Sequence, residues 1–285
     1  MRKNYYEDLT SGISPSNEDK RQLIFENWAN TARDYGDEPD ATIRDLLLRK
    51  LNTIETCKFI ENTDKIIDIG CGNGFATKDY ASCADSGIGV DYIPDFVEKA
   101  NEINGGQNLQ FLTGDILDLS SIKKEYGEFD KVIAERTLIN LVSWGDQKKA
   151  IGQLDSLLRP GGLLILTEVT IQGHESIDNL REKYGLSILE KHWNNVYIDE
   201  NMLLDHLSQS SYGHGVAYEL IHKYTFGFYS LVSKVLYPYM IYPDEPSFDS
   251  RINKVAAELE FMYPIDNLGH QRLFVFRKNT NLPSS

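Results

Sequence analysis

The residues best placed to do chemistry lie in Ile66-Ile67-Asp68-Ile69-Gly70-Cys71-Gly72-Asn73-Gly74, an apolar run holding one carboxylate and ending in three alternate glycines. The β-branched isoleucines suit a central strand. The glycines permit positive φ and let backbone N–H groups approach a ligand closely. The run therefore reads as a buried strand entering a cofactor loop, with Phe75 to Ser82 starting a helix whose N-terminus faces that ligand. Asp91, 23 residues after Asp68, ends a second strand, Gly87 to Val90. A carboxylate there can accept hydrogen bonds from both ribose hydroxyls, and helix capping is its plain alternative. Taken alone, the glycine run also fits a tight turn or a nicotinamide site, whereas the missing lysine disfavours a P-loop.

These residues need a sheet to hold them. From Lys65 onward, strand and helix patterns alternate, as in a parallel sheet covered on both sides. Leu109 to Leu112 gives a third strand, Asp130 to Ala134 a fourth and Leu163 to Val169 a fifth. Asp199 to Leu207 reads as a helix, Val216 to Thr225 as the sixth strand and Arg272 to Arg277 as the last. Pro94 suits a helix start, and Ser143 with Asp146 has capping-box spacing. Ahead of the sheet, Ser16 and Asp19 form another box before a helix running to Gly36, and Asp40 caps a second helix carrying Ile43, Leu47, Leu51 and Ile54. Ligands in such sheets bind outside the carboxyl ends of the strands, so Glu135 and Arg136 face the site.

Length and charge narrow the partners. A chain of 285 residues can bury a sizeable core as one domain or a domain with a cap. The formal charge of −14 and the lack of a basic patch argue against nucleic acid. Cys57, Cys71 and Cys83 show no C-x-x-C spacing, so neither a disulfide framework nor a zinc site is suggested. Met1 to Thr10 is polar, unlike a signal peptide. Phe226 to Ile241 is strongly aromatic but too short to span a membrane.

Asp-Ile-Gly-Cys-Gly-Asn-Gly resembles the first motif of class I S-adenosylmethionine-dependent methyltransferases of the small-molecule type. Leu157-Leu158-Arg159-Pro160-Gly161-Gly162, turning into the fifth strand, is similar to a second motif of that family. The resemblance is close from Asp64 to Glu168 and looser on both sides. It implies an α/β fold, a doubly wound, Rossmann-like, mostly parallel seven-stranded sheet with an antiparallel last strand. It implies a single domain over 1–285, with an N-terminal helical cap (1–60), a cofactor-binding core (61–170) and substrate-lid insertions (171–198 and 226–269). S-adenosylmethionine would meet Tyr35 from the cap, Asp68, Gly70, Cys71, Gly72, Asn73 and Gly74 from the first strand and loop, Asp91 and Tyr92 at the ribose, and Glu135. Asp115 matches the position that receives the adenine amino group, with Ile116 packing on the ring and Asp118 as rival. A cytoplasmic location follows, where this cofactor is available.

Methyl transfer from a sulfonium is an in-line displacement, so positioning and water exclusion come first, and a base is needed only if the acceptor must lose a proton early. Candidate bases are His174, His192, Glu135 and Glu168, the histidines ranking first because imidazole titrates near neutrality. Arg136 suits an anionic acceptor such as a carboxylate, phosphate or uronic acid, or else an internal ion pair with Glu135 or Glu168. Glu168, Trp193, Tyr197, Tyr229, Tyr237 and Tyr239 are the other candidate walls of the substrate site, the rings by stacking or by packing the lid. No residues at the fourth strand match the magnesium site of catechol-type enzymes, and the Asn/Asp-Pro-Pro-Tyr/Phe signature is absent, so no metal is expected. The expected activity is O-methylation of a small metabolite or sugar-containing precursor by a monomer or homodimer, without nucleic acid or stable membrane insertion. N-methylation of an amine metabolite, or a regulatory protein that binds the cofactor without turnover, are the alternatives.

Overall fold

The computed structural model describes residues 16–208 and 218–280. Met1 to Thr10, and the Val216 start expected for the sixth strand, lie outside the described residues. Helix α1 (Asn17–Tyr35) opens with the reciprocal Ser16–Asp19 capping box and stops at Gly36. Helix α2 (Leu46–Cys57) is capped by Asp45, whose Oδ1 accepts the Leu48 N–H at 3.0 Å. The expected cap, Asp40, is thus corrected, and Ile43 precedes the helix. The cause lies in Gly36 and Glu38, whose carbonyls are bound by the Asn73 side chain, so the chain crosses the glycine loop before it can coil.

Strand and helix then alternate: β1 (Lys65–Ile69), α3 (Phe75–Ser82), β2 (Ser86–Asp91), α4 (Pro94–Asn104), β3 (Leu109–Thr113), α5 (Ser120–Tyr126), β4 (Phe129–Glu135), α6 (Trp144–Leu157) and β5 (Leu158–Val169). Pro94 occupies the first turn of α4, where its missing N–H costs nothing. After β5 come α7 (Ile171–Lys183), α8 (Glu200–Ser208) and β6 (Tyr218–Tyr224). Then follow α9 (Gly227–Leu231), a π-helical turn (Val232–Leu236), α10 (Tyr237–Ile241), α11 (Arg251–Leu259) and β7 (Gln271–Lys278).

The seven strands lie in the order β3-β2-β1-β4-β5-β7-β6, with β7 antiparallel to both neighbours. This is the doubly wound, Rossmann-like sheet of class I methyltransferases. Side chains alternate across it. Ile67, Val132 and Leu164 meet α6 and α8 on one face, while Ile66, Ile133 and Ile165 meet α2, α3, α9 and α11 on the other. By that alternation Glu135 joins the face of Ile133, where its partner Tyr80 also lies.

The aromatic stretch after β6 divides its work. Phe226 and Tyr229 are buried in the core, with the Tyr229 hydroxyl 2.6 Å from Asp45 Oδ1. These rings pack the segment onto the sheet, so Tyr229 is corrected from a wall of the acceptor site to core. At the base of the segment a β-carbon on Gly227 would overlap the Ile265 carbonyl, and one on Gly269 the Thr225 carbonyl. No helix among the described residues is long and apolar enough to cross a membrane.

Candidate active site

Acidic groups gather at the ends of β1, β2 and β4. Gly70, Gly72 and Gly74 hold φ of 82°, 54° and 78°, the left-handed conformation that the motif required. The Gly70 and Cys71 N–H groups donate to the Val90 carbonyl at 2.7 and 3.1 Å, which fastens the loop to β2. Asp91 Oδ2 accepts the Gly72 N–H at 2.8 Å, and its Oδ1 accepts the Ile93 N–H at 2.9 Å. Asp91 therefore caps the next segment and braces the glycine loop together. Asp68 is buried beneath the loop and accepts the Thr77 hydroxyl at 2.6 Å. Burial lifts its pKa to about 7 against the pull of Thr77, with Glu135 and Asp91 adding repulsion. Glu135 Oε2 accepts the Tyr80 hydroxyl at 2.8 Å, and its Oε1 is buried without a hydrogen-bond partner.

The N-terminal segment closes on this loop. Asn73 donates to the carbonyls of Gly36 and Glu38 at 3.1 and 2.8 Å, and its own carbonyl accepts from the Asn104 amide at 2.8 Å. Tyr35 packs with Phe25 and Trp28 around Phe96 and Ile93. Tyr92 is exposed and meets the edge of Phe25 at 4.9 Å between ring centres. Asp115 is exposed and accepts the Leu117 N–H at 2.8 Å, whereas Ile116 is in the core.

Basic groups gather beyond β4 and β5. Arg136 sits at φ 55°, with its N–H 2.7 Å from the Thr167 carbonyl. Its charge bears on His270, as do those of Lys234, His174 and His192; burial first, then these four, hold His270 well below the usual imidazole range. Lys234, over the Phe248 ring at 5.6 Å, is pushed down by burial and by Arg136 and Arg181, against the pull of Asp45. His174 Nε2 pairs with Asp178 at 3.1 Å while its buried Nδ1 has no partner, and its ring lies 5.0 Å from Tyr197 and 5.5 Å from His270. Burial pulls the His174 pKa down, against Asp178. His192 keeps an exposed edge, and partial burial and then Arg136 lower its pKa.

Other expected residues are placed elsewhere. Glu168 is fully buried and accepts the N–H groups of Thr137 and Leu138 at 3.0 and 2.7 Å, so it holds the turn after β4 and faces no open cleft. That corrects its assignment to the substrate. Burial raises its pKa to about 8 against those N–H bonds. Trp193 lines a small cavity with Lys20, Ile24 and Val142, on the side of α1. Tyr237 is half-buried, and the exposed Tyr239 meets Tyr184 at 5.8 Å. Sequence reasoning missed Tyr80, Lys234, His270 and Gln271. Gln271 is fully buried with neither end of its amide hydrogen-bonded. The one signal for the last two was a His-Gln pair opening the final strand at the ligand end of the sheet. Among the described residues no cluster of three or more His, Cys, Asp or Glu is placed to hold a metal ion.

Comparison with known proteins is decisive for the family, since residues 60–208 match the family described as Methyltransferase domain. The chain belongs to that methyltransferase family. An uncharacterised methyltransferase of Schizosaccharomyces pombe is 32% identical over 80 residues, 28% of this chain and 29% of the relative. Phosphoethanolamine N-methyltransferase 1 of Triticum aestivum is 28% identical over 119 residues, 41% of this chain and 23% of the relative. The matches thus span well under half of these relatives. Among solved structures, phosphoethanolamine N-methyltransferase 1 of Haemonchus contortus, in complex with phosphoethanolamine and S-adenosylhomocysteine, superposes with a TM-score of 0.62 at 17% identity, over 95% of this chain and 51% of that one. A methyltransferase of Anabaena variabilis gives 0.54 at 15%, over 94% and 98%. These two likenesses show the fold alone.

The methyltransferase uses S-adenosylmethionine, and the residues present fit it. The cofactor carries a sulfonium, an ammonium and a ribose diol, which suit carboxylates rather than a phosphate cradle. Asp68, Asp91 and Glu135 supply the carboxylates, and the unpartnered Glu135 Oε1 is an acceptor still unspent.

Proposed function

We propose that this methyltransferase methylates a hydroxyl group of a small molecule, sugar-containing precursors included, with His174 as general base. The observation that carries the reading is the His174–Asp178 pair. Asp178 accepts the Nε2–H at 3.1 Å, which leaves the buried Nδ1 lone pair without a partner. Burial pulls its pKa down against Asp178, which favours the neutral ring that can accept a proton.

S-adenosylmethionine supplies, when bound, an electrophilic methyl group on a positively charged sulfur. The chain's own residues do the rest. Asp68, Asp91, Tyr92, Glu135 and the glycine loop bind the cofactor, with Asp115 and Ile116 at its adenine end and Tyr35 on the closing segment. Tyr197 and the helical cover over β5 exclude water, which favours displacement. His174 Nδ1 takes the hydroxyl proton as the oxygen–carbon bond forms and the sulfur–carbon bond breaks. Asp178 holds the imidazolium so formed. His192, with its exposed edge, is the alternative base, and Tyr237 and Tyr239 lie at the outer rim.

N-methylation of an amine is the second reading, supported by the names of the wheat and Haemonchus relatives. Labelled cofactor offered with a panel of alcohols and a panel of amines separates the two. His174→Gln is expected to lower transfer to the alcohol about 100-fold while leaving cofactor affinity alone. Transfer to amines only overturns the hydroxyl reading, and undiminished transfer to the alcohol in the variant removes His174 as its base.

A further inference from the structure

Polar side chains near the ends of β4 and β5 form a closed circuit. The Tyr80 hydroxyl donates to Glu135 Oε2 at 2.8 Å and accepts from the Asn52 side-chain amide at 3.3 Å. The Asn52 carbonyl oxygen accepts the Thr167 hydroxyl at 2.8 Å, and Thr167 is the partner of Glu135 in the β4–β5 register. Tyr80 comes from α3, Asn52 from α2 and Thr167 from β5, and all three are buried. A phenol has one proton, and an amide nitrogen only donates. Thr167 takes the oxygen of the amide and leaves its nitrogen to Tyr80, so the one phenolic proton goes to Glu135. The circuit thus gives Glu135 a donor, which suits the ionised carboxylate. Burial pushes the Glu135 pKa up, and the Tyr80 bond leads the groups that oppose it, ahead of Arg136, Asn52 and Arg49. A carboxylate is planar, so fixing Oε2 on Tyr80 also fixes Oε1, which is buried and has no partner among the described residues. An ionised oxygen in that state is costly until a donor reaches it.

We propose that Tyr80 is a positioning residue: backed by Asn52 and Thr167, it keeps Glu135 ionised and presents Oε1 to the ammonium in the amino-acid portion of S-adenosylmethionine. This rests on the cofactor placement proposed above and not on the nature of the acceptor. Strand order supplies the direction. β1 lies between β2 and β4, so a ribose at Asp91 and a glycine loop after β1 leave the end of β4 to the amino-acid portion. Within that portion the ammonium is the group that suits this end, because Asp68 is close enough to Glu135 to be repelled by it and a second anion would add to the repulsion. The hydrogen bond from an ammonium to a carboxylate is charge-assisted and among the stronger kinds. Its strength depends on Glu135 staying ionised, and the Tyr80 proton secures that.

The test is calorimetry on the full chain with S-adenosylhomocysteine and, separately, with methylthioadenosine, which lacks the amino-acid portion. Tyr80→Phe should weaken S-adenosylhomocysteine binding by about tenfold and leave methylthioadenosine binding unchanged. Glu135→Gln should weaken the first ligand by about as much, and Tyr80→Phe should add nothing in that background, because it acts through Glu135. Thr167→Val should cost about threefold, and Thr167→Ser, which keeps the hydroxyl, should restore the parent affinity. The methylthioadenosine titration also shows that each variant folds. Equal losses for both ligands, additive losses in the double variant, or no loss in Tyr80→Phe overturn the proposal. A parent that binds both ligands equally well would overturn the cofactor placement and the proposal with it. The readout needs no turnover, so none of these results touches the hydroxyl reading, which His174→Gln tests separately.

Discussion

Glu135 and Arg136 are consecutive in sequence and bring opposite charges to the end of β4. The Glu135 carboxylate lies 2.8 Å from the Tyr80 hydroxyl among the acids beneath the glycine loop, whereas Arg136, at φ 55°, acts on His192, Lys234 and His270 as well as back on Glu135 and Glu168. A left-handed residue at the strand end lets the chain leave the sheet more sharply than ordinary strand alternation allows.

Arg136→Gly separates conformation from charge. A non-glycine residue in the left-handed region is strained by about 1 kcal/mol, and glycine relieves this while adding similar freedom to the unfolded chain. Denaturant unfolding should therefore shift by less than about 0.5 kcal/mol while transfer to the acceptor falls about tenfold or more. A large loss of stability would mean that the guanidinium is structural.

Asp91→Ala should weaken S-adenosylhomocysteine binding by at least about 1.5 kcal/mol, roughly tenfold, in a calorimetric titration. The Gly72 N–H loses its acceptor at the same time, so Asp91→Asn, which keeps one oxygen, should fall between the variant and the parent. Equal affinity in all three would leave Asp91 as a cap alone.

Asn73→Ala removes the two amide bonds that pin Gly36 and Glu38. Losing a buried side chain that satisfies backbone carbonyls costs about 1–3 kcal/mol. Hydrogen exchange should accelerate across residues 36–45 and remain slow in β4 and β5. Uniform acceleration over the sheet would show that this segment is part of the global unfolding unit.

Glu168 predicts the sign of a pH dependence. Burial raises its pKa from 4.5 to about 8, so the folded chain keeps a proton that the unfolded chain releases. The resulting stability is fully present below about pH 4.5 and is lost as pH rises through about 8. Glu168→Gln keeps an acceptor oxygen for Thr137 and Leu138 but cannot ionise. Its melting temperature should exceed that of the parent at pH 8 and vary less across the range. A parent whose melting temperature rises over that range would contradict the burial of this carboxyl.

The sheet was legible because its strands are β-branched runs cut by glycine and proline, and each begins or ends within a few residues of its expected bounds. The glycine loop was legible for the same reason, since few residue patterns tolerate three left-handed positions in five. Glu168 was not legible, because nothing local tells that a strand-end acid will accept N–H groups from the turn after a neighbouring strand. Lys234 was not legible either, because the action of Arg136 on it joins residues about a hundred positions apart in the chain. Asp40 and Asp45 were equally good caps by type, and the choice was made by Asn73, which draws the preceding carbonyls to the glycine loop.

At Gly227 and Gly269 backbone passes backbone with no space for even a methyl group. The helical cover from Gly227 to Ile241 is thereby fastened at its root to the 265–269 segment ahead of β7. Opening for ligand exchange is therefore expected at residues 36–45, which side-chain hydrogen bonds from Asn73 hold to the glycine loop, and initial-rate patterns should be those of an ordered reaction, with the methylated product leaving before S-adenosylhomocysteine.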